Sequence, residues 1–171
     1  RAIHDDWMIP EALPALAAQL GKHHDHEPFT RRALNANHRL GTLEAAARVV
    51  AFTAKGEAPE ALLEAGLEAL QHWTEPGKLD LVTGQYRPLD PRDPAVLAEA
   101  LKPYLDTLLT AKLAVVRSTT MELATALSIP IANETLLAVF ENPGAGGTLR
   151  STALRSLAAQ EAPGLAELVA S

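Results

Sequence analysis

The densest set of reactive side chains is Lys22-His23-His24-Asp25-His26-Glu27, with three imidazoles and two carboxylates in residues 23–27. Imidazole and carboxylate together suit zinc, nickel or copper, so His23, His24, His26 and Glu27 are the candidate metal ligands. A metal site needs ligands that converge from rigid supports, whereas neighbours on one turn point apart. The segment therefore reads as a solvated polar turn, with metal binding as the alternative. The chain has no Cys, which removes thiolate zinc sites, catalytic cysteines and haem attachment through C-x-x-C-H. No Ser-His-Asp order is visible. Gly144-Ala145-Gly146-Gly147 lacks the preceding strand of a dinucleotide loop and reads as a flexible turn. No catalytic or cofactor-binding residue is assigned.

The remaining candidates gain meaning only from the elements that carry them. Of 171 residues, 32 are Ala and 28 are Leu, while aromatics make up 4%. The two strongest apolar helix formers dominate, so the expected class is all-α. Fifteen Lys+Arg against 21 Asp+Glu leave a net charge of −6, which argues against a nucleic-acid partner. No stretch approaches the roughly 18 to 20 apolar residues of a membrane span, so direct membrane insertion is not expected.

Four segments share one register when Leu34, Leu67, Met121 and Leu154 are superposed, at separations of 33, 54 and 33 residues. Five positions before the anchor stand Phe29, Leu62, Val116 and Leu149; immediately before it stand the small Ala33, Gly66, Thr120 and Ala153; three after it stand Asn37, Leu70, Ala124 and Leu157. Such offsets trace one helical face. A second periodic stretch follows each, for example Leu43, Ala47, Val50 and Ala54, or Leu97, Leu101, Leu105 and Leu108. Breakers fall at Gly56 with Pro59, Ser128-Ile129-Pro130, Asn142-Pro143-Gly144 and Pro163, and Thr42, Asp93 and Asn133 are the expected N-caps. The pattern predicts stacked helical hairpins, an α-α superhelix in one domain over 1–171. Its parts are a truncated repeat at 1–21, with Ile3 inward and a second helix over Pro10–Leu20, and repeats near 28–55, 58–109, 111–141 and 146–170. The middle interval is longer by 21 residues, and the Pro- and Gly-rich segment 74–93 is the insertion that accounts for it.

Within this frame Asn37 stands where other repeats carry Leu70, Ala124 and Leu157. A core-facing amide costs about 1 to 3 kcal/mol unless its hydrogen bonds are satisfied. The expectation is that Asn35 or Asn37 bonds backbone groups of the 74–93 excursion; the rival is a shifted helix that exposes Asn37. Trp73, Tyr86 and Arg87 flank or sit in the excursion. They read either as an anchor for another domain, or as Trp73 and Tyr86 closing a small local core with Arg87 paired to a carboxylate.

Tetratricopeptide and ankyrin signatures are absent. The segments Arg31-Arg32-Ala33-Leu34-Asn35-Ala36-Asn37-His38-Arg39-Leu40-Gly41 and Leu149-Arg150-Ser151-Thr152-Ala153-Leu154 resemble first helices of HEAT repeats, an armadillo-like class. The opening Arg1-Ala2-Ile3-His4-Asp5, with Trp73-x-x-Pro76, Gly84-x-Tyr86-Arg87-Pro88-Leu89 and Arg92, extends the likeness over most of 1–127. The chain resembles the HEAT-repeat region of large planctomycete- and verrucomicrobial-type multidomain proteins. In those, a sorbosone/glucose dehydrogenase-like β-propeller precedes the repeats and a C-x-x-C-H haem domain follows. The resemblance implies an excised scaffold of an exported, membrane-associated dehydrogenase, with haem in the parent and none in this piece. None of that family's catalytic or haem-ligating residues maps onto this chain. The implied partners are flanking domains of the parent or another protein. A free-standing adaptor is the alternative. Metal-dependent enzymes come last: His26-Glu27 is similar to the His-Glu dipeptides of HEAT-type hydroxylases, which need several copies, and this chain has one.

Overall fold

The structure, a computed structural model, describes residues 9–22 and 26–160. Ile3, His23, His24 and Pro163 lie outside them. The described residues are all-α, with helices packed on their neighbours and a single isolated β-bridge. The chain divides into two compact units, Arg1–Tyr104 and Leu105–Ser171.

In the first unit a 3-10 turn at Pro10–Ala12 leads into α1 (Leu13–Ala17), followed by α2 (Glu27–Leu40), α3 (Leu43–Lys55), α4 (Glu60–Gln71) and α5 (Pro94–Leu101). The side chains of Thr42 and Asp93 accept the amides of Ala45 and Ala95, capping α3 and α5 as their types predict. The first helices of successive hairpins, α2 and α4, pack on each other, and so do the second helices, α3 and α5. That is the contact pattern of a two-layer stack. Gly66 shows why the register holds a small residue: a Cβ there would sit 2.8 Å from Thr53 Oγ1 on α3 and 3.8 Å from Leu34 Cδ2 on α2.

The second unit holds α6 (Leu105–Leu109), α7 (Ala114–Ala126), α8 (Asn133–Glu141) and α9 (Gly147–Ala159). The second helix of the 58–109 repeat is thus broken, because Lys102–Tyr104 tighten into a 3-10 turn around Pro103, which has no N–H to continue the ladder. Leu97, Leu101, Leu105 and Leu108 stay buried across the break. Asn133 is not a cap. Helix α8 starts one residue earlier than expected, with Ala132 at the N-cap position, and leaves Asn133 Oδ1 buried without a partner.

The superposed positions share environments. Leu34, Leu67 and Met121 are buried while Leu154 is half-buried, and the small position (Ala33, Gly66, Thr120, Ala153) is buried in all four helices, as is the position of Asn37, Leu70, Ala124 and Leu157. One shared position escaped the periodicity. Arg117 and Arg150 both stand four before the anchor; Arg117 donates to the carbonyls of Ala111, Lys112 and Gly144, and Arg150 Nε to that of Phe140 at 2.6 Å. Each ties the start of a first helix to backbone just after, or at the end of, the helix before it. The Gly144–Gly147 turn is therefore tied down rather than loose, with Ala145 buried.

Candidate functional site

The excursion turns back on itself between Lys78 and Arg87. Leu79 and Tyr86 pair across an antiparallel bridge, the Asp80 amide donates to Gln85 O and the Arg87 amide to Lys78 O, each at 2.9 Å. Asp80 organises the tip. Its Oδ1 accepts from the amides of Val82 at 3.1 Å and Thr83 at 2.9 Å, and from Thr83 Oγ1 at 3.1 Å; this is the Asx-turn habit of a short acid.

Its other oxygen fastens the excursion to α2. Asn35 Nδ2 donates to Asp80 Oδ2 at 3.0 Å, Arg39 Nη1 approaches it at 3.5 Å, and Arg87 Nη1 lies 3.8 Å away. Arg39 also donates to the Arg87 carbonyl at 3.3 Å. Asp80 is 4% exposed. Burial pushes its pKa up, but the hydrogen bonds from Asn35, Thr83 and Val82 outweigh that and hold the carboxyl below its ordinary range. Burial pushes the Arg39 guanidinium down and Asp80 opposes the shift.

A second fastening surrounds Trp73, which is fully buried. The Arg92 guanidinium lies 5.1 Å over the indole ring, donating to Trp73 O at 3.3 Å and to His38 O at 2.5 Å. This is a cation–π contact combined with capping of carbonyls. The His38 ring stands edge-on to Trp73 at 5.8 Å, and its Nε2 lies 3.1 Å from the His72 carbonyl, which requires that nitrogen to carry the proton. Burial pushes His38 down to about 4; the His72 carbonyl opposes this, and the charges of Arg92, His72 and Arg39 add to it. Gly41, the αL cap of α2 at φ +65°, has Arg92 directly over it, and a Cβ would run into the guanidinium.

The sequence candidates fall into place differently. Asn35 reaches the excursion, but through the Asp80 side chain rather than backbone. Asn37 turns the other way: it is fully buried, donates to Ala17 O at 3.0 Å and Ala33 O at 2.8 Å, and accepts from Arg48 at 3.4 Å. It ties α1, α2 and α3 together and is not on an exposed face. Arg87 pairs with Asp80. Tyr86 is 69% exposed and closes no core, because the bridge turns it away from α2. His26 caps α2, its Nδ1 accepting from Phe29 N at 3.2 Å, and Glu27 pairs with Arg31 at 2.8 Å. Among the described residues no three His, Cys, Asp or Glu converge on a metal position.

Sequence reasoning missed Asp80, Arg39 and His38, and it quoted Arg92 without a role. The Asp80-x-x-Thr83-Gly84 spacing was the available signal for an Asx turn. The Nε2 of the buried His38 is committed to the His72 carbonyl. Asp80, Arg39 and Arg92 hold the excursion and the end of α4 against α2. Among the described residues no helix is long and apolar enough to cross a membrane. No protein-family model, curated protein or solved structure matches the chain.

Proposed function

We propose that the chain is a non-catalytic scaffold of HEAT-like hairpins, an α-α superhelix whose excursion presents a contact surface to another domain. The observation that carries this reading is the outward side of the fastened excursion. Leu79 is 58% exposed, Leu81 39% and Tyr86 69%, while the polar groups beneath them are buried in the Asp80 fastening. Apolar and aromatic side chains on a pre-ordered base lose little entropy on docking and suit the centre of an interface. The resemblance to dehydrogenase-associated repeat regions makes a flanking propeller-like or haem-binding domain the intended partner, with positioning for electron transfer as the task. Repeats of this kind offer extended surfaces, which supports holding over turnover.

The test is titration calorimetry of this chain against the propeller-like and haem-binding domains of its parent. Saturable binding is expected, weakened about tenfold or more by Tyr86→Ala and by Leu79→Asp, as for a central interface residue. Absence of heat with both domains overturns the reading.

A further inference from the structure

Superposing Leu34 on Met121 places Asn35 on Glu122, His38 on Thr125 and Arg39 on Ala126. On α2 Asn35 and His38 are buried and the side chain of the half-buried Arg39 is covered. On α7 their counterparts are all exposed. They line a cavity of about 380 Å³ with Ser118, closed on its far side by Thr148 and Thr152 of α9. Its apolar floor is Met121 and Leu149, both buried. The face that one unit covers with a folded-back stretch of its own chain is therefore an open groove in the other.

The charges differ in sign. The excursion brings a carboxylate to an amide and a guanidinium, Asn35 and Arg39. In the α7 groove the amide position is Glu122 and the guanidinium position is Ala126. Glu122 is the one charged residue lining the cavity, and it has no ion pair among the described residues. Arg117, in the adjoining hollow at the start of α9, has both terminal nitrogens committed to main-chain carbonyls and is 5% exposed.

We propose that the α7–α9 groove binds an extended peptide segment of another protein, with a Lys or Arg side chain set between apolar residues where the excursion carries Asp80. The cation meets Glu122, and the flanking apolar side chains cover Met121 and Leu149. This deepens the scaffold reading and rests on it, because the repeat register identifies the groove as the counterpart of the covered face. Opposite charge at the rim selects the partner, and like charge disfavours a segment that brings a carboxylate to that position, as the excursion does with Asp80.

The test uses the full chain and two labelled synthetic peptides of sequence 78–92, one native and one carrying Asp80→Lys, titrated by fluorescence anisotropy. The Asp80→Lys peptide binds about fivefold or more tighter than the native one, the scale of a partly exposed charge reversal, and Glu122→Lys in the chain inverts that order. Thr152→Trp fills the groove and abolishes binding of both peptides. Failure of the Asp80→Lys peptide to bind overturns the proposal, as does binding that neither Glu122→Lys nor Thr152→Trp alters. Calorimetry with the flanking domains on the same variants separates the two ideas: retained, Tyr86-dependent domain binding with no peptide binding removes the groove and leaves the scaffold standing.

Discussion

Helices α2 and α7 occupy the same register and meet opposite fates. Positions one, four and five after the anchor are Asn35, His38 and Arg39 in the first and Glu122, Thr125 and Ala126 in the second. Asn35 and His38 are buried and the Arg39 side chain is covered, whereas the second set is exposed. Within each helix the inward positions behave alike, so the difference comes from a loop that returns to α2 after α4. A helix face in a repeat is thus core or surface according to what distant chain lies over it. Polar residue types follow: a covered face needs groups that satisfy one another, and an open one does not.

The largest effect should come from removing the fastening. Asp80→Ala leaves the Arg39 guanidinium without its carboxylate in a largely buried setting, a loss of about 3 kcal/mol, while Glu122→Ala stays within about 0.5 kcal/mol of wild type. Denaturant unfolding measures both, and hydrogen exchange should show protection lost over 74–93 and α2 only. If the two substitutions cost the same, the contrast between the faces fails.

Acid gives the next largest difference. His38 has a native pKa of about 4 against 6.5 when unfolded. Between those values the unfolded chain binds a proton that the native chain does not, so stability falls as pH drops through the window and is level above it. The loss is on the order of 2–3 kcal/mol. Asp80, whose native pKa is depressed, stabilises above the ordinary 3.8 and withdraws that contribution only at lower pH. All six His stand at or before His72, so the second unit lacks the first of these windows. Exchange protection measured at pH 7, 5 and 4 should decline in α2 and not in α7, and His38→Gln should flatten the decline.

Gly41→Ala sharpens the comparison further. It forces a side chain into a left-handed cap and displaces Arg92 from His38 O and Trp73, costing about 2 kcal/mol. Trp73 fluorescence should shift to the red as water reaches the indole. The smallest effect is expected for Gly66→Ala. The gain in helix propensity offsets part of the crowding against Thr53, and about 1 kcal/mol remains. The double change Gly66→Ala with Thr53→Ser keeps the hydroxyl and should recover none of it, whereas Thr53→Ala should recover most; thermal melts decide.

Much of the fold was legible because its signals are local. Apolar spacing, Gly56, Pro59 and Pro130 marked helices and breaks, and Thr42 and Asp93 marked caps. Pro103, inside the Leu97–Leu108 periodicity, is the local signal of the broken second helix. The candidate site was half legible. Asn35 and Asn37 stood out as amides on an apolar face, but their partners lie 45 and 20 residues away, at Asp80 and Ala17. Spacing along one helix says nothing about which distant group arrives. Tyr86 was misread as a possible core residue because aromatic character does not reveal which side of a bridge faces water.

By itself the sequence determined the all-α class, the register of four first helices and the position of the interruption, since each depends on contacts within a few turns of chain. Only the tertiary structure decided that the interruption folds back onto α2, that Asp80 and Arg92 hold it there, and that the matching face of α7 stays open. Those outcomes depend on where a loop of some twenty residues closes. Its closure entropy varies too slowly with length to select a landing place, so the buried pairing of Asp80 with Asn35 and Arg39 selects it, even though Asn35 Oδ1, Arg39 Nε and Trp73 Nε1 keep no partner.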